Sequence, residues 1–381
     1  MGILVKTKIL VTCGGGFQGL TIYKSIAAIE GVESHLFDNN EENVSKYFYD
    51  FFYRSTAQSE IEQYEKELVD YCTEHKVDFI VPATQYDLLF LTQRKRFFLE
   101  VLSCKIAVPE EEWVNIFTDK RKMHGFLKKN GFPVQQEENP LSSENYPLIG
   151  KHLNGWGGKG MVVANSISDF NNFENCPKEY LWNKFIKDFK EYSIDFAVNH
   201  HGEVSKPVVR ERLSVSGGFA LISKSTSISK DYVNLIGQAF SNPAFSGLYN
   251  LQFISTSEGD FFTDLNPRLG TSAVLGDYFN SNPIAHLLGK GRKSTYPKRP
   301  VKVVRYLEEK YFPVDDPQQN DASLKVDWDN YSVLKTATEE GKKIGKDEVK
   351  FEIARAMKRE RLETAQIIRL TGLTKEQFEN I

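Results

Sequence analysis

Two aromatic-rich segments separated by a short turn constrain the fold of this chain more than any other feature. The segments span residues 247–254 and 260–268, and the turn between them is Ser257-Glu258-Gly259. This pattern predicts a β-hairpin, because a three-residue turn favours glycine at its last, left-handed position. With such a turn, Gln252 lies directly opposite Asp264. The sequence therefore predicts both a hairpin and its register.

Polar residues alternate along the second of these segments. Asp264 and Asn266 share one strand face, and Arg268 continues the alternation beyond Pro267. With Gln252 opposite, carboxylate and amide oxygens converge, and such oxygens suit Mg²⁺, with Mn²⁺ as the alternative ion. A solvent-exposed polar strand face is the other interpretation. It is disfavoured because the apolar residues of both segments leave these polar groups on a face of their own.

The first hundred or so residues alternate short apolar runs with helical patterns, which predicts a parallel sheet wrapped by helices. Residues 14–19, Gly-Gly-Gly-Phe-Gln-Gly, lie between the first strand and the first helix and match GxGxxG, and Asp38 ends the next strand. Two interpretations are open. The turn binds a dinucleotide with Asp38 near its ribose, or the turn serves only close packing.

A second glycine-rich loop lies between two predicted strands, residues 146–151 and 161–164. The first strand ends in Lys151, and the loop contains Gly155-Trp156-Gly157-Gly158-Lys159-Gly160. Glycines allow backbone N–H groups to approach phosphate oxygens, and a strand-borne lysine adds charge. The loop is not a Walker A loop, because glycine rather than serine or threonine follows its lysine. A glycine-rich hairpin with solvated lysines is the alternative.

A predicted helix begins at Asp119 and carries Lys120, Arg121 and Lys122 in its first turn. Cations are mildly unfavourable at a helix N-terminus, so something must offset them. An anionic ligand above this helix start would do so, and Asp119 with bulk water is the alternative.

Taken together, Asp119-Lys120, the strand and glycine loop that begin at Pro147, Lys190-Glu191-Tyr192, Asn250-Leu251-Gln252 and Asp264-Leu265-Asn266-Pro267-Arg268 resemble the ATP-grasp superfamily. Within it, the carbamoyl phosphate synthase large-subunit type is the most similar. The resemblance implies an α/β plus α+β fold, in which a Rossmann-like pre-ATP-grasp domain precedes an ATP-grasp fold and a helical C-terminal tail follows it. The expected parts are residues 1–115 for the Rossmann-like domain, 116–188 for the small lid subdomain, 189–305 for the large subdomain with the metal site, and 306–381 for a mostly helical extension.

The resemblance also implies roles for individual residues. Lys120 and Lys151 would contact ATP phosphates, and Gly157 and Gly158 would lie in the flexible phosphate lid. The implied adenine hinge is Asn183, Lys184, Phe185 and Ile186, with Glu191 facing the nucleotide. The implied magnesium ligands are Gln252, Asp264 and Asn266. Many relatives have glutamate where this chain has Gln252, and an acidic residue where it has Asn183.

The implied activity is ATP-dependent joining of a carboxylate to an amine through an acyl phosphate, with ADP and phosphate released, on an amino acid or small peptide. Arg268 is the first candidate for stabilising the carboxylate, and Arg210 and Arg212 share a strand face that could point into the same cavity. Two alternatives are open: a carboxylase or carbamoylating enzyme that phosphorylates bicarbonate, and a non-catalytic nucleotide-binding partner protein.

Charge and hydropathy limit the expected partners. Forty-eight basic and 51 acidic side chains give a net charge of −3, so the chain lacks the basic balance of a nucleic-acid-binding protein. No apolar run approaches the roughly 20 residues of a membrane helix, which favours a cytoplasmic protein. Small-molecule carboxylate and amine substrates are the expected partners. The tail is predicted to dock or dimerise, so a homodimer is among the expected assemblies.

Overall fold

The structure is a computed structural model, and it describes residues 6–142, 144–155, 160–171, 179–216, 219–279, 281–291 and 302–304, together with Thr364 and Phe378. The chain divides into two compact units, Met1–Tyr306 and Leu307–Ile381. The features that follow belong to the first unit. Apart from Thr364 and Phe378, the predicted helical tail lies outside the described residues. The finer boundaries expected within residues 1–305 stay a prediction.

The amino-terminal part contains a five-stranded parallel sheet in the order β3-β2-β1-β4-β5, which confirms the predicted Rossmann-like architecture. Its strands are β1 (Thr7–Thr12), β2 (Val32–Asp38), β3 (Phe51–Arg54), β4 (Phe79–Pro82) and β5 (Lys105–Ile106). Its helices are α1 (Phe17–Ala27), α2 (Ile61–His75), α3 (Leu88–Leu102) and α4 (Glu111–Phe117). Ile9, Leu10 and Val11 of β1 are fully buried, because helices cover both faces of the sheet.

A second, three-stranded antiparallel sheet in the order β7-β6-β8 follows. Its elements are α5 (Lys120–Lys129), β6 (Leu148–His152), β7 (Met161–Ala164), α6 (Ile167–Asn171) and β8 (Tyr180–Lys184). Leu148, Ala164, Phe170 and Trp182 form its small core. The two predicted strands are confirmed. Residues 156–159 of the loop between them, including Gly157 and Gly158, lie outside the described residues.

The third sheet is six-stranded and antiparallel, in the order β13-β12-β9-β10-β11-β14. Its strands are β9 (Lys190–Val198), β10 (Val208–Ser216), β11 (Phe219–Ser225), β12 (Gly247–Thr256), β13 (Gly259–Asn266) and β14 (Lys302–Val304). The remaining α-helices of the described chain are α7 (Lys230–Phe240) and α8 (Pro283–Leu288), and 3₁₀ turns span Ser45–Tyr47, Pro243–Phe245 and Ala273–Phe279. Aromatic and aliphatic side chains of β9, β12 and β13 pack against α5 and α7, so one face of this sheet is buried in a core.

The predicted pairing of the hairpin is confirmed, whereas the predicted turn is wrong. Strands β12 and β13 pair as far as Thr256 opposite Gly259, so the turn has two residues rather than three. A two-residue turn alone would shift every partner on β13 by one position. A β-bulge after Gln252 restores the register and brings Asp264 opposite it. The sequence pattern did not reveal this bulge.

Asp87, the residue immediately before α3, carries a buried carboxyl group whose effect on the free energy of unfolding can be measured. Its side chain is fully buried, and burial raises its pKa to about 6 from the ordinary 3.8. The folded state therefore retains a proton that the unfolded state has lost, so this group costs stability as pH rises from about 4 to about 6. We expect Asp87→Asn to stabilise the fold by about 1 to 3 kcal/mol at pH 8, with the gain vanishing near pH 4.

Denaturant unfolding at several pH values measures this difference. Asp188→Asn, at an exposed position, is the matched control and should give no such pH dependence. An equal gain for Asp87→Asn at pH 4 and pH 8 would contradict the assignment of a buried, partly protonated carboxyl.

Candidate functional site

One face of the six-stranded sheet is polar across four neighbouring strands. The residues that pair directly across β13-β12-β9-β10 form two rows, Asp264-Gln252-Ser193-Arg210 and Asn266-Asn250-Asp195. Directly paired residues of an antiparallel sheet point to the same face. The polar face is therefore continuous, and it lies opposite the face that packs on α5 and α7.

At one edge of the polar face, Lys120 pairs with Asp264. The Lys120 Nζ lies 2.5 Å from Asp264 Oδ1. Burial opposes ionisation of Asp264, but the ammonium groups of Lys120 and Lys151 outweigh it and hold its pKa below the ordinary value. Burial also lowers the pKa of Lys151, which Asp264 partly offsets. The two predicted phosphate lysines thus converge on one predicted metal ligand.

Lys120 is the first residue of α5, and Asp119 caps this helix. The Asp119 carboxylate accepts hydrogen bonds from the backbone N–H groups of Arg121 and Lys122. The Arg121 guanidinium lies 2.9 Å from Glu137 Oε1. Local acidic groups therefore offset the cations of this first turn, and the ammonium of Lys120 is directed to Asp264.

Farther along the polar face, Glu191 forms an ion pair with Arg212. Burial raises the pKa of Glu191, and Arg212 counteracts it. Arg212 Nη1 also donates to Gln252 Oε1 at 3.2 Å. Glu191 and Arg212 are therefore joined to the hairpin by Gln252.

Arg210 lies in a buried network rather than at an open surface. Its Nε donates to Asp195 Oδ2 at 2.8 Å, and both side chains are at most 1% exposed. Asp195 Oδ1 accepts from Asn250 Nδ2 at 2.8 Å and from the backbone N–H of Gly270 at 2.7 Å. Asn250 Oδ1 in turn accepts from Gln252 Nε2 at 2.7 Å. A chain of hydrogen bonds thus connects Arg210 to the predicted metal ligands.

Arg268 follows the hairpin and is half-buried. Its Nη1 donates to the backbone carbonyl of Leu269 at 3.0 Å. Burial lowers its pKa to about 10, and Asp195 and Asp264 partly offset this. The guanidinium is still charged at neutral pH, close to the carboxylates of the polar face.

The predicted hinge begins inside β8. Asn183 is fully buried and donates through Nδ2 to the backbone carbonyl of Gln136 at 3.0 Å, whereas its Oδ1 has no hydrogen-bond partner within the described part of the chain. Lys184 Nζ lies 2.7 Å from Glu258 Oε1 in the hairpin turn. The backbone N–H of Phe185 donates to Pro147, and Ile186 is half-buried. This segment therefore connects the three-stranded sheet to the hairpin.

Sequence reasoning missed two groups of residues at this site. Asp195 and Ser193 lie on β9 with Glu191, and their alternation in Lys190–Val198 was a visible signal for a polar strand face. His124 lies one turn after Lys120 on α5. It is buried, and its Nε2 has no hydrogen-bond partner among the described residues. Nothing in the sequence around His124 indicates this position.

The pKa of His124 depends on the charges of Lys151 and Lys120. Burial, and next the ammonium of Lys151, lower its pKa from 6.5 to about 4. Because the unfolded state takes up a proton first, this group costs stability as pH falls from about 6.5 to about 4. We expect Lys151→Met to raise the pKa of His124, as followed by NMR titration of its ring.

The matched control is Lys184→Met, which removes an exposed ammonium that pairs with Glu258. It should leave the His124 titration unchanged. A titration that moves equally in both variants would show that Lys151 does not face His124.

The donor set fits a hard cation. Gln252, Asp264 and Asn266 offer amide and carboxylate oxygens on one sheet face, which is the chemistry that Mg²⁺ prefers. In the described residues, no three His, Cys, Asp or Glu side chains cluster closely enough to hold a metal ion. A metal here would therefore rely on amide oxygens and on ligands from outside the chain.

The glycine turn after β1 does not present Asp38 to solvent. Asp38 Oδ2 accepts from the backbone N–H of Gly15 at 2.7 Å, and Oδ1 accepts from that of Asn40 at 2.8 Å. The carboxylate that a dinucleotide site would offer to a ribose is occupied by the turn. The structure thus favours the packing interpretation of GxGxxG.

Comparisons with known proteins agree with this fold. Residues 117–272 match the family model described as an ATP-grasp domain. A comparison with curated proteins found no match. Among solved structures, the chain is similar to the biotin carboxylase domain of 2-oxoglutarate carboxylase from Hydrogenobacter thermophilus, with TM-score 0.61, 16% identity and coverage of 76% of this chain and 71% of that one. That structure is a dimer with MgADP, ADP and bicarbonate.

Two further similar structures are N5-carboxyaminoimidazole ribonucleotide synthetases. The one from Thermotoga maritima has TM-score 0.55, 19% identity and coverage of 77% of this chain and 79% of that one. The one from Staphylococcus aureus has TM-score 0.57, 17% identity and coverage of 78% and 81%. At these identities the likeness establishes the fold alone.

The fold of this part of the chain is of the grasp architecture. The chain carries an ATP-grasp domain in residues 117–272, preceded by a Rossmann-like domain, and the predicted resemblance to the ATP-grasp superfamily is confirmed. No helix in the described part of the chain is both long and apolar enough to span a membrane.

Proposed function

We propose that this chain is an ATP-dependent carboxylate–amine ligase of the cytoplasm, with an amino acid or small peptide among its substrates. The observation that supports this most is the convergence of Lys120 and Lys151 on Asp264, beside a face that also carries Arg212 and Arg268. Two cations and one carboxylate suit a bound metal–nucleotide complex. The arginines suit a carboxylate substrate.

In this proposal, Gln252, Asp264 and Asn266 hold Mg²⁺, which would neutralise charge on the nucleotide phosphates. Lys120 and Lys151 bind phosphate oxygens, and Lys120 exchanges its ion pair with Asp264 for these oxygens. Asn183, Lys184, Phe185 and Ile186 form the adenine hinge, and Gly157 and Gly158 cover the phosphates. Glu191 orients Arg212 through their ion pair.

The proposed chemistry needs no protein nucleophile. A substrate carboxylate oxygen attacks the γ-phosphorus, the bond to the β-phosphate oxygen breaks, and ADP leaves. The amine then attacks the acyl carbon, loses a proton, and inorganic phosphate departs. Arg268 stabilises the carboxylate and the oxyanion, with Arg212 beside it, whereas Arg210 acts by holding Asp195.

A bicarbonate-phosphorylating activity is the second candidate, and the fold shared with a biotin carboxylase domain favours testing it. In that case bicarbonate takes the place of the substrate carboxylate, and the same residues serve the phosphoryl transfer. A nucleotide-binding protein without turnover is the third.

Phosphate release from MgATP, measured across amino acids and dipeptides with and without bicarbonate, separates these functions. Dependence on both a carboxylate and an amine supports the ligase. Transfer of ¹⁸O from a labelled carboxylate to phosphate would support the acyl phosphate. Bicarbonate dependence without an added acid supports the second candidate, and MgADP binding without turnover on any substrate would refute catalysis.

A further inference from the structure

The face of α1 that begins in the glycine turn docks on the segment that follows the hairpin. Thr21 Oγ1 donates to the backbone carbonyl of Thr271, and Asn282 Nδ2 donates to that of Ser25 at 2.8 Å. Apolar residues of the same helix, Ile22 and Ile26, share a core with Leu269, Ala273, Ile284 and Leu287. The helix is therefore fixed against the residues immediately after Arg268.

Gln18 is the first polar residue on this face, and it is 9% exposed. With its amide oriented so that both of its ends are satisfied, its nitrogen donates to the backbone carbonyl of Ala83 at 3.1 Å. Its oxygen then accepts from Arg268 Nη1 at 2.5 Å. The same Nη1 donates to Leu269, so two fixed oxygens hold one end of the guanidinium.

The glycine turn allows Gln18 to contact Arg268. A Cβ on Gly19 would lie 1.7 Å from the carbonyl oxygen of Gly14, so α1 approaches the end of β1 more closely than any side chain allows. This approach sets where the first turn of α1, and hence Gln18, meets the hairpin end. Ala83, which follows β4, holds the other end of the Gln18 amide.

We propose that Gln18 is a positioning residue that fixes the Arg268 guanidinium for the carboxylate substrate, so that GxGxxG in this chain serves the ligase site instead of a dinucleotide. This inference rests on the proposed function for the role of Arg268, but the Gln18–Arg268 contact can be tested without it. A neutral amide holds the guanidinium without cancelling its charge. Because Nη1 is held by Gln18 and Leu269, the orientation of the Nε and Nη2 groups of Arg268 is fixed as well.

The first test is kinetic. Gln18→Met keeps the side-chain volume and removes both hydrogen bonds, and we expect kcat/KM for the carboxylate to fall about 10- to 100-fold with the Kd of MgADP unchanged. Thr21→Val is the matched control, because it removes a hydrogen bond from the same docked face one turn away. It should leave kcat/KM within about twofold. An unchanged Gln18→Met, or an equal loss in Thr21→Val, would overturn the proposal.

The second test needs no turnover. In ¹⁵N-arginine-labelled protein, with the Arg268 signals assigned by their loss in Arg268→Lys, we expect slow rotation of the guanidinium in the wild type and in Thr21→Val, but fast rotation in Gln18→Met. Fast rotation in the wild type, or no change in Gln18→Met, would overturn the proposal even if the ligase assay fails. If Gln18→Met does not fold, Gln18→Glu retains the acceptor and should keep the guanidinium fixed, and fast rotation in Gln18→Glu would overturn the proposal.

Discussion

Asp264→Asn should reduce MgATP-dependent phosphate release roughly 1000-fold, because a lost metal–carboxylate interaction costs several kcal/mol of transition-state stabilisation. Asp264 is the only charged member of the proposed ligand set. Its loss also leaves Lys120 and Lys151 without their shared counter-charge, so the empty site becomes more positive. We expect ADP without metal to bind at least as well as before, and Mg²⁺ to lose its enhancing effect, as measured by calorimetry.

Asp260→Asn is the matched control for this change. Asp260 lies on the same strand and bonds to the Tyr232 hydroxyl at 2.9 Å instead of to a lysine. It should retain turnover, and circular dichroism should show that both variants are folded. Full activity in Asp264→Asn would remove the metal assignment, whereas loss of activity in both would indicate a damaged hairpin.

Asp195→Ala should destabilise the fold by about 3 to 5 kcal/mol, because it leaves the buried guanidinium of Arg210 without a counter-charge. Arg210 is 1% exposed, and the change also removes the acceptor for the N–H of Gly270 and one of two acceptors for Asn250 Nδ2. Denaturant unfolding at neutral pH measures the loss.

An exposed ion pair provides the contrast. Arg54 and Glu41 lie 2.8 Å apart with side chains 65% and 56% exposed, so Glu41→Ala should cost less than about 1 kcal/mol. A similar small loss for Asp195→Ala would mean that water reaches Arg210. In that event Arg210 would again be a candidate for direct substrate contact.

Much of the fold was predictable because the relevant signals are local. The alternation of apolar runs and helical patterns predicted the parallel sheet, and the aromatic segments around Ser257-Glu258 predicted the hairpin. The partner of Gln252 was predicted correctly, although the turn was not. A shorter turn and a bulge shift the register by one residue in opposite directions, so two errors of detail cancelled.

The different ion-pair partners and exposure of Arg210 and Arg212 could not be predicted from local sequence signals. Arg210 and Arg212 are two residues apart on one strand face, and the sequence treats them alike. The structure places Asp195 against Arg210 and Glu191 against Arg212, and only the former pair is closed off from solvent. The register of β9 with β10 decides which carboxylate pairs with which arginine. The paired residues are 15 positions apart for Asp195 and Arg210 and 21 for Glu191 and Arg212, so neighbouring residues do not reveal the pairing.

The sequence by itself determined the order of the elements, the polar alternation on β13 and the glycines of two loops, since these depend on neighbouring residues. Only the tertiary structure decided that Asp38 is occupied by its own turn, that His124 faces the lysines, and that Gln18 reaches Arg268 across 250 positions of chain. The reason is physical: strand and helix periodicity fix the direction of a side chain, whereas its partner is set by how separate sheets pack.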